Sequence, residues 1–209
     1  KLSGRIPGCI VEDKNKNIWV GYLGANPDLI LPRQNAIKSF TYNESYMNSA
    51  FIWRTLSIAI DKNNTPWFST GGAGLAKYNN DGKSFTYYTP AAIKSARILP
   101  HFSKQNHISD FSLYSVCFDK QGYLWIGTDF GGLNCFNTKT EHFDNYVHSE
   151  NDTSSIASNF VRFVYCDSNN DIWIGTNSGL DKFNRNSKTF SHFTVLDGLV
   201  GNTIQGIVE

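Results

Sequence analysis

The amino-acid sequence predicts an all-β protein of repeated four-stranded antiparallel units, and three observations carry that prediction. Four tryptophans anchor similar segments (Trp19 in NIWVGY, Trp67 in TPWFST, Trp125 in YLWIGT, Trp173 in DIWIGT) at intervals of 48, 58 and 48 residues. An aspartate stands six positions ahead of each, at Asp13, Asp61, Asp119 and Asp167. Around these anchors apolar and polar residues alternate with period two, broken by Asn, Gly, Asp and Ser rather than by helical runs. Self-similarity at such an interval marks a repeat architecture.

Each unit reads in the same order. A first strand runs into the aspartate, and three positions before it the residue is always apolar: Ile10, Ile58, Val116, Val164 and, in the last segment, Ile207. The aspartate ends that strand, and its carboxylate caps the amides of the turn KNKN, KNNT, KQGY or SNND. The tryptophan lies in the second strand. Two positions later comes Gly21, Ser69, Gly127 or Gly175. A glycine-rich turn leads to the third strand (GGAGLAKY, FGGLNCF, NSGLDKF), and SFTYY, HFDNY or FSHF forms the fourth. For the third unit the strands fall at about 112–118, 123–128, 132–137 and 141–146.

A meander this short cannot cover both of its faces, whereas sheets stacked about an axis cover one another, so the expected architecture is a β-propeller. Its blades fall at about 5–42, 53–88, 111–146 and 159–193, with 202–209 as the first strand of a next blade. Residues 1–209 therefore read as a partial propeller from a longer chain. Its two ends show Ile6, Ile10 and Val11 on one side and Ile204, Ile207 and Val208 on the other. These are expected to be covered by the remaining blades of the chain or by another copy.

Composition excludes several classes. With 19 Lys+Arg against 18 Asp+Glu, the net charge of +1 offers no electrostatic case for nucleic acid or an anionic membrane. Forty per cent hydrophobic and 14% aromatic residues exclude disorder. The best apolar run, FIWRTLSIAI, is too short for a membrane helix and is interrupted by Arg54. Cys9, Cys117, Cys135 and Cys166 lie far apart without a C-x-x-C pair, and read as small buried apolar residues rather than a disulfide framework. No metal or cofactor is expected. Asp167–Asp171 begins like a calcium loop but lacks glycine at the sixth position and has Ser178 at the twelfth. TGGAGL at 70–75 has no following Lys-Ser/Thr to make a phosphate cradle. His142, His148 and His192 show no dyad spacing, and Glu150 and Asp152 sit in a polar loop. No catalytic residue is assigned, and the chain reads as a non-enzyme.

Binding is the better-supported class. The links between units fall at about 43–53, 89–110, 147–158 and 195–202. The longest carries Lys94, Arg97, His101, Lys104 and His107 against Asp110. Arg97, His101 and Lys104 are expected to form a basic rim for an acidic saccharide or a partner domain. Near the start of each first strand one position varies among Leu56, Tyr114, Arg162 and Gln205. Variable positions on a uniform scaffold suit ligand contacts. Arg162 offers a hydrogen-bonding fork and Tyr114 a sugar-stacking ring, and Arg54 and Gln205 are assigned with them. Asn159 and Asn202, at equal positions, are expected to pin their links by side chain–backbone bonds.

The succession Asn-x-Val, Asp, polar turn, LWIGT, GGL and closing F-x-x-Y resembles the two-component-regulator propeller repeat. Three stretches carry the likeness: YLWIGTDFGGLNCFNTKTEHFDNY, SENDTSSIASNFV and DIWIGTNSGLDKFNRNSKTFSHFTVLDGLVGNTI. GANPDLILPR in the first unit, and Pro66 and Ser69 in the second, depart from the pattern. The resemblance implies a fragment of a seven-bladed propeller in the periplasmic sensor region of a Bacteroidetes hybrid histidine kinase. It further implies a glycan-derived oligosaccharide as signal, a homodimer of the full-length protein, and a kinase region elsewhere. The alternative is a propeller scaffold for protein interaction or dimerisation without a small ligand. A carbohydrate-active lyase or hydrolase stands third.

Overall fold

In a computed structural model, which describes residues 1–41, 54–90 and 107–209, four four-stranded antiparallel meanders follow one another. The first holds β1 (Pro7–Glu12), β2 (Ile18–Tyr22), β3 (Asp28–Leu31) and β4 (Ala36–Ser39); the second holds β5 (Thr55–Ile60), β6 (Pro66–Thr70), β7 (Leu75–Tyr78) and β8 (Phe85–Tyr88). The third holds β9 (Leu113–Phe118), β10 (Tyr123–Thr128), β11 (Leu133–Asn137) and β12 (His142–Tyr146). The fourth holds β13 (Val161–Cys166), β14 (Ile172–Thr176), β15 (Leu180–Asn184) and β16 (Thr189–Phe193). The chain divides into two compact units, Lys1–Leu113 and Tyr114–Glu209.

The aspartate caps the turn amides alike in all four sheets. Asp61 Oδ1 accepts the amides of Asn63 and Thr65, each at 2.8 Å, and Asp167 Oδ1 accepts those of Asn169 and Asp171 at 2.9 and 2.7 Å. The third turn residue takes the left-handed conformation: Lys16, Asn64, Gly122 and Asn170. The second carboxylate oxygen accepts the indole N–H of the tryptophan, at 3.3 Å for Trp67, 3.0 Å for Trp125 and 2.9 Å for Trp173. This bond ties turn to strand. The first sheet differs: the Asn17 side-chain amide donates to Asp13 Oδ2 at 3.0 Å, and Trp19 Nε1 is buried without a partner among the described residues.

Stacking within each unit buries the tryptophan against the following sheet. In Lys1–Leu113, Trp19 meets Phe68 and Tyr78 at 5.6 and 5.1 Å between ring centres, in a core with Leu29, Leu31 and Ile58. In Tyr114–Glu209, Trp125 meets Phe183 at 4.9 Å, with Val161, Val164, Ile172 and Ile174 around them. Each such side chain contributes about 1.5–3 kcal/mol by leaving water. The glycine after the tryptophan is set by this approach: a Cβ on Gly127 would stand 2.7 Å from the Val161 carbonyl oxygen. Gly132 serves the next turn, with φ +73° and room for no side chain beside the Tyr146 carbonyl. The turns also join edge to edge, the Lys14 amide donating to Asn64 and the Lys120 amide to Asn170, each at 2.7 Å.

Three expectations need correction or refinement. Cys117 and Cys166 are not simply small apolar residues; they form a disulfide between β9 and β13, while Cys9 and Cys135 remain free. Residues 201–209 take the place of a next first strand without pairing as one. The Ile204 amide donates to the Thr176 carbonyl at 3.0 Å, but a ladder requires a second strand of the same blade, and the described residues supply none. Finally, the apolar position before the aspartate is buried at Ile58, Val116 and Val164 but 65% exposed at Ile10, where no sheet among the described residues of its unit covers that side of β1.

Candidate ligand-binding cluster

Three of the residues assigned from sequence come together within the unit Tyr114–Glu209, and a fourth joins them. Arg162 lies in β13 at a β-bulge, where the register steps from Val161 to Phe163 and leaves it unpaired. A bulge re-aims a side chain away from the alternation of the strand. Its guanidinium sits 5.9 Å from the Tyr114 ring centre and 5.3 Å from that of Phe160. The two rings are themselves 5.3 Å apart. Arg162 Nη1 donates to the Gln205 side-chain oxygen at 3.0 Å, and its Nε is buried without a partner among the described residues. Tyr114, Phe160 and Arg162 are half-buried and Gln205 is exposed, so the cluster is open at one end. An aromatic pair with a guanidinium across it offers a ring platform and a planar donor fork.

Arg54 belongs to a different setting, in the unit Lys1–Leu113. Its side chain lies against Gly71, and its Nη2 donates to Ser112 Oγ at 2.7 Å. Arg97, His101 and Lys104 lie outside the described residues. The aspartates and tryptophans of the repeat hold turns and cores, as described above.

The link that leads into the cluster is held from several sides. Asn159 Oδ1 accepts the His148 amide at 2.7 Å, and at the next link Asn202 Oδ1 accepts the Val195 amide at 2.9 Å. Asp181 in β15, its side chain wholly buried, accepts the Ala157 amide at 2.8 Å and pairs with His192 Nδ1 at 2.7 Å. His192 Nε2 donates in turn to the Thr153 carbonyl at 2.9 Å. Burial raises the Asp181 carboxyl above its ordinary value, against the bonds that favour its charge. Burial lowers His192, but the bond and charge of Asp181 outweigh it and the imidazole stays protonated to higher pH than usual. Sequence reading missed Phe160 and the Asp181–His192 pair. Phe160 carried the signal of an aromatic directly after the link asparagine, whereas Asp181 and His192 looked like ordinary strand residues.

A family model described as "Two component regulator propeller" matches residues 1–24, 108–130 and 155–178. Those three stretches resemble two-component-regulator propeller repeats. Histidine kinase P4 of Formosa agariphila is 34% identical over 160 residues, which cover 60% of this chain and 12% of that protein. The extracellular domain of a putative one-component system of B. thetaiotaomicron superposes with a TM-score of 0.64 at 19% identity, over 90% of this chain and 21% of that one. The extracellular domain of a putative hybrid two-component system of the same organism gives 0.59 at 22% identity, over 91% and 30%. Virginiamycin B lyase of Staphylococcus aureus gives 0.63 at 14% identity, over 90% and 55%. At such identities the superpositions establish the β-propeller fold of these repeats and nothing of their chemistry. No helix among the described residues is long and apolar enough to cross a membrane.

Proposed function

We propose that these propeller repeats belong to the extracytoplasmic, periplasmic sensor region of a two-component signalling protein, and that they bind a glycan-derived oligosaccharide without acting on it chemically. The match of three stretches to the two-component-regulator propeller model carries the reading. Two further observations support it. The Cys117–Cys166 disulfide suits an oxidising compartment outside the cytoplasm. The Tyr114–Phe160–Arg162 cluster has the ring surface and donors that sugar recognition uses. A kinase region, and dimerisation through it, belong on this reading to the rest of a longer protein.

The test is titration of the protein with a panel of neutral and acidic oligosaccharides, followed by phosphorylation assays of the full-length receptor in vesicles. One saccharide class is expected both to bind and to change the phosphorylation level. If none binds while the chain captures a second protein or dimerises through these blades, the interaction-scaffold reading replaces this one.

A further inference from the structure

We infer that the cluster of Tyr114, Phe160, Arg162 and Gln205 is an anion subsite, and that the saccharide it takes presents a carboxylate or sulfate from a ring stacked on the aromatic pair. The inference rests on the sensing reading above and adds a ligand chemistry to it.

The argument starts from what Arg162 lacks. Arg162 is half-buried, and each of its N–H groups that leaves water needs an acceptor, best an anion. Within the same unit Arg185, whose Nε is likewise buried without a partner among the described residues, has its charge matched: its side chain is 30% exposed and pairs with the buried carboxylate of Asp119 at 2.9 Å. Arg162 has no carboxylate within ion-pair distance among the described residues. Its neighbours are two aromatic rings and one neutral amide oxygen, and its Nε is buried with nothing to donate to. Cation–π contact with Tyr114 and Phe160 offsets part of the desolvation but satisfies no N–H.

The bulge at Val161–Phe163 places the side chain outside the sheet register. It turns Arg162 off the sheet alternation and onto the rings. Gln205 is a neutral acceptor held to Arg162 by a single hydrogen bond, which a charged acceptor replaces. A carboxylate or sulfate fits the fork, since two of its oxygens accept in parallel from adjacent N–H groups. The ring that bears the anion then lies where Tyr114 or Phe160 presents a face. A neutral sugar uses the rings but leaves the charge unmatched.

The experiment compares trigalacturonate with its methyl ester, which keeps the rings and removes the charge, by calorimetry on the intact 209-residue chain. A sulfated disaccharide and sodium sulfate, at matched ionic strength, separate sugar carboxylate, sugar sulfate and free anion. The Arg162 Nε–H resonance is followed in each titration, assigned by its loss in Arg162→Lys. Trigalacturonate or the sulfated disaccharide is expected to bind about tenfold or more tighter than the ester. Arg162→Gln is expected to erase that difference and Arg162→Lys to restore part of it. Equal binding of acid and ester, or an acid preference that survives Arg162→Gln, overturns the anion inference while the sensing reading stands. Sulfate shifting the Nε–H resonance with no saccharide binding supports the anion subsite and counts against the glycan reading. No response to any probe overturns both. The acid–ester comparison needs no variant, so poor folding of Arg162→Gln does not spare the inference.

Discussion

The Cys117–Cys166 bridge offers the sharpest test of how these blades hold together. It joins the first strands of two successive sheets across a sequence separation of 49. In the chain-entropy account, cross-linking a loop of that size removes about 4 kcal/mol of freedom from the unfolded chain. Residual structure in the unfolded state reduces the observed value, so the expected loss in a Cys117→Ser/Cys166→Ser protein is about 2–4 kcal/mol. Both cysteines are only half-buried, and exchanging sulfur for oxygen adds little to that loss. For a unit the size of Tyr114–Glu209 this corresponds to a fall of roughly 10–20 °C in melting temperature. Calorimetry with and without reductant is the assay, read beside peptide mapping of the oxidised protein under non-reducing conditions. Reductant alone should reproduce the double substitution, because Cys9 and Cys135 are free. Oxidised protein that yields no Cys117–Cys166 peptide, or a double variant melting within about 2 °C of the parent, would refute the reasoning.

Three other outcomes are expected. Asp119→Asn should cost about 2–3 kcal/mol, because it strands the partly buried Arg185 guanidinium, whereas Asp61→Asn, with only turn and indole bonds to lose, should cost about 1 kcal/mol; urea unfolding of both variants decides. Asn17→Thr should raise stability by about 1 kcal/mol, by freeing Asp13 Oδ2 to accept the unpartnered indole N–H of Trp19 as the other three aspartates do; unchanged or lowered stability in thermal melts would count against the shared geometry. Because His192 titrates above its unfolded value, its clamp on Asp181 and Thr153 is fully present below about pH 6.5 and fades as pH rises through the folded pKa. Hydrogen exchange at Ala157 should therefore show weakening protection above neutrality, and His192→Gln should remove that dependence.

How far the sequence carries follows from the range of each interaction. The Asp-to-Trp turn is local: its bonds join residues two, four and six apart, as at Asp167 with Asn169, Asp171 and Trp173. Repeated at Asp13, Asp61, Asp119 and Asp167, that short-range chemistry determines hairpin, meander and blade before any stacking is known. The links are nearly as legible, since Asn159 and Asn202 reach back only 11 and 7 residues to pin them.

What the tertiary structure decided lies between blades. Cys117 meets Cys166, Asp119 meets Arg185 and Tyr114 meets Arg162 because one sheet stacks on the next with a particular offset. Alternation shows which way each side chain points, but not which residue of the neighbouring sheet it faces. Alternation alone therefore leaves the cysteines as separate small apolar residues, and Arg162 as a polar group with no sign of Phe160 beside it. A bulge adds the last uncertainty. By leaving Arg162 out of register between Val161 and Phe163, it breaks the period-two rule on which the sequence reading depends.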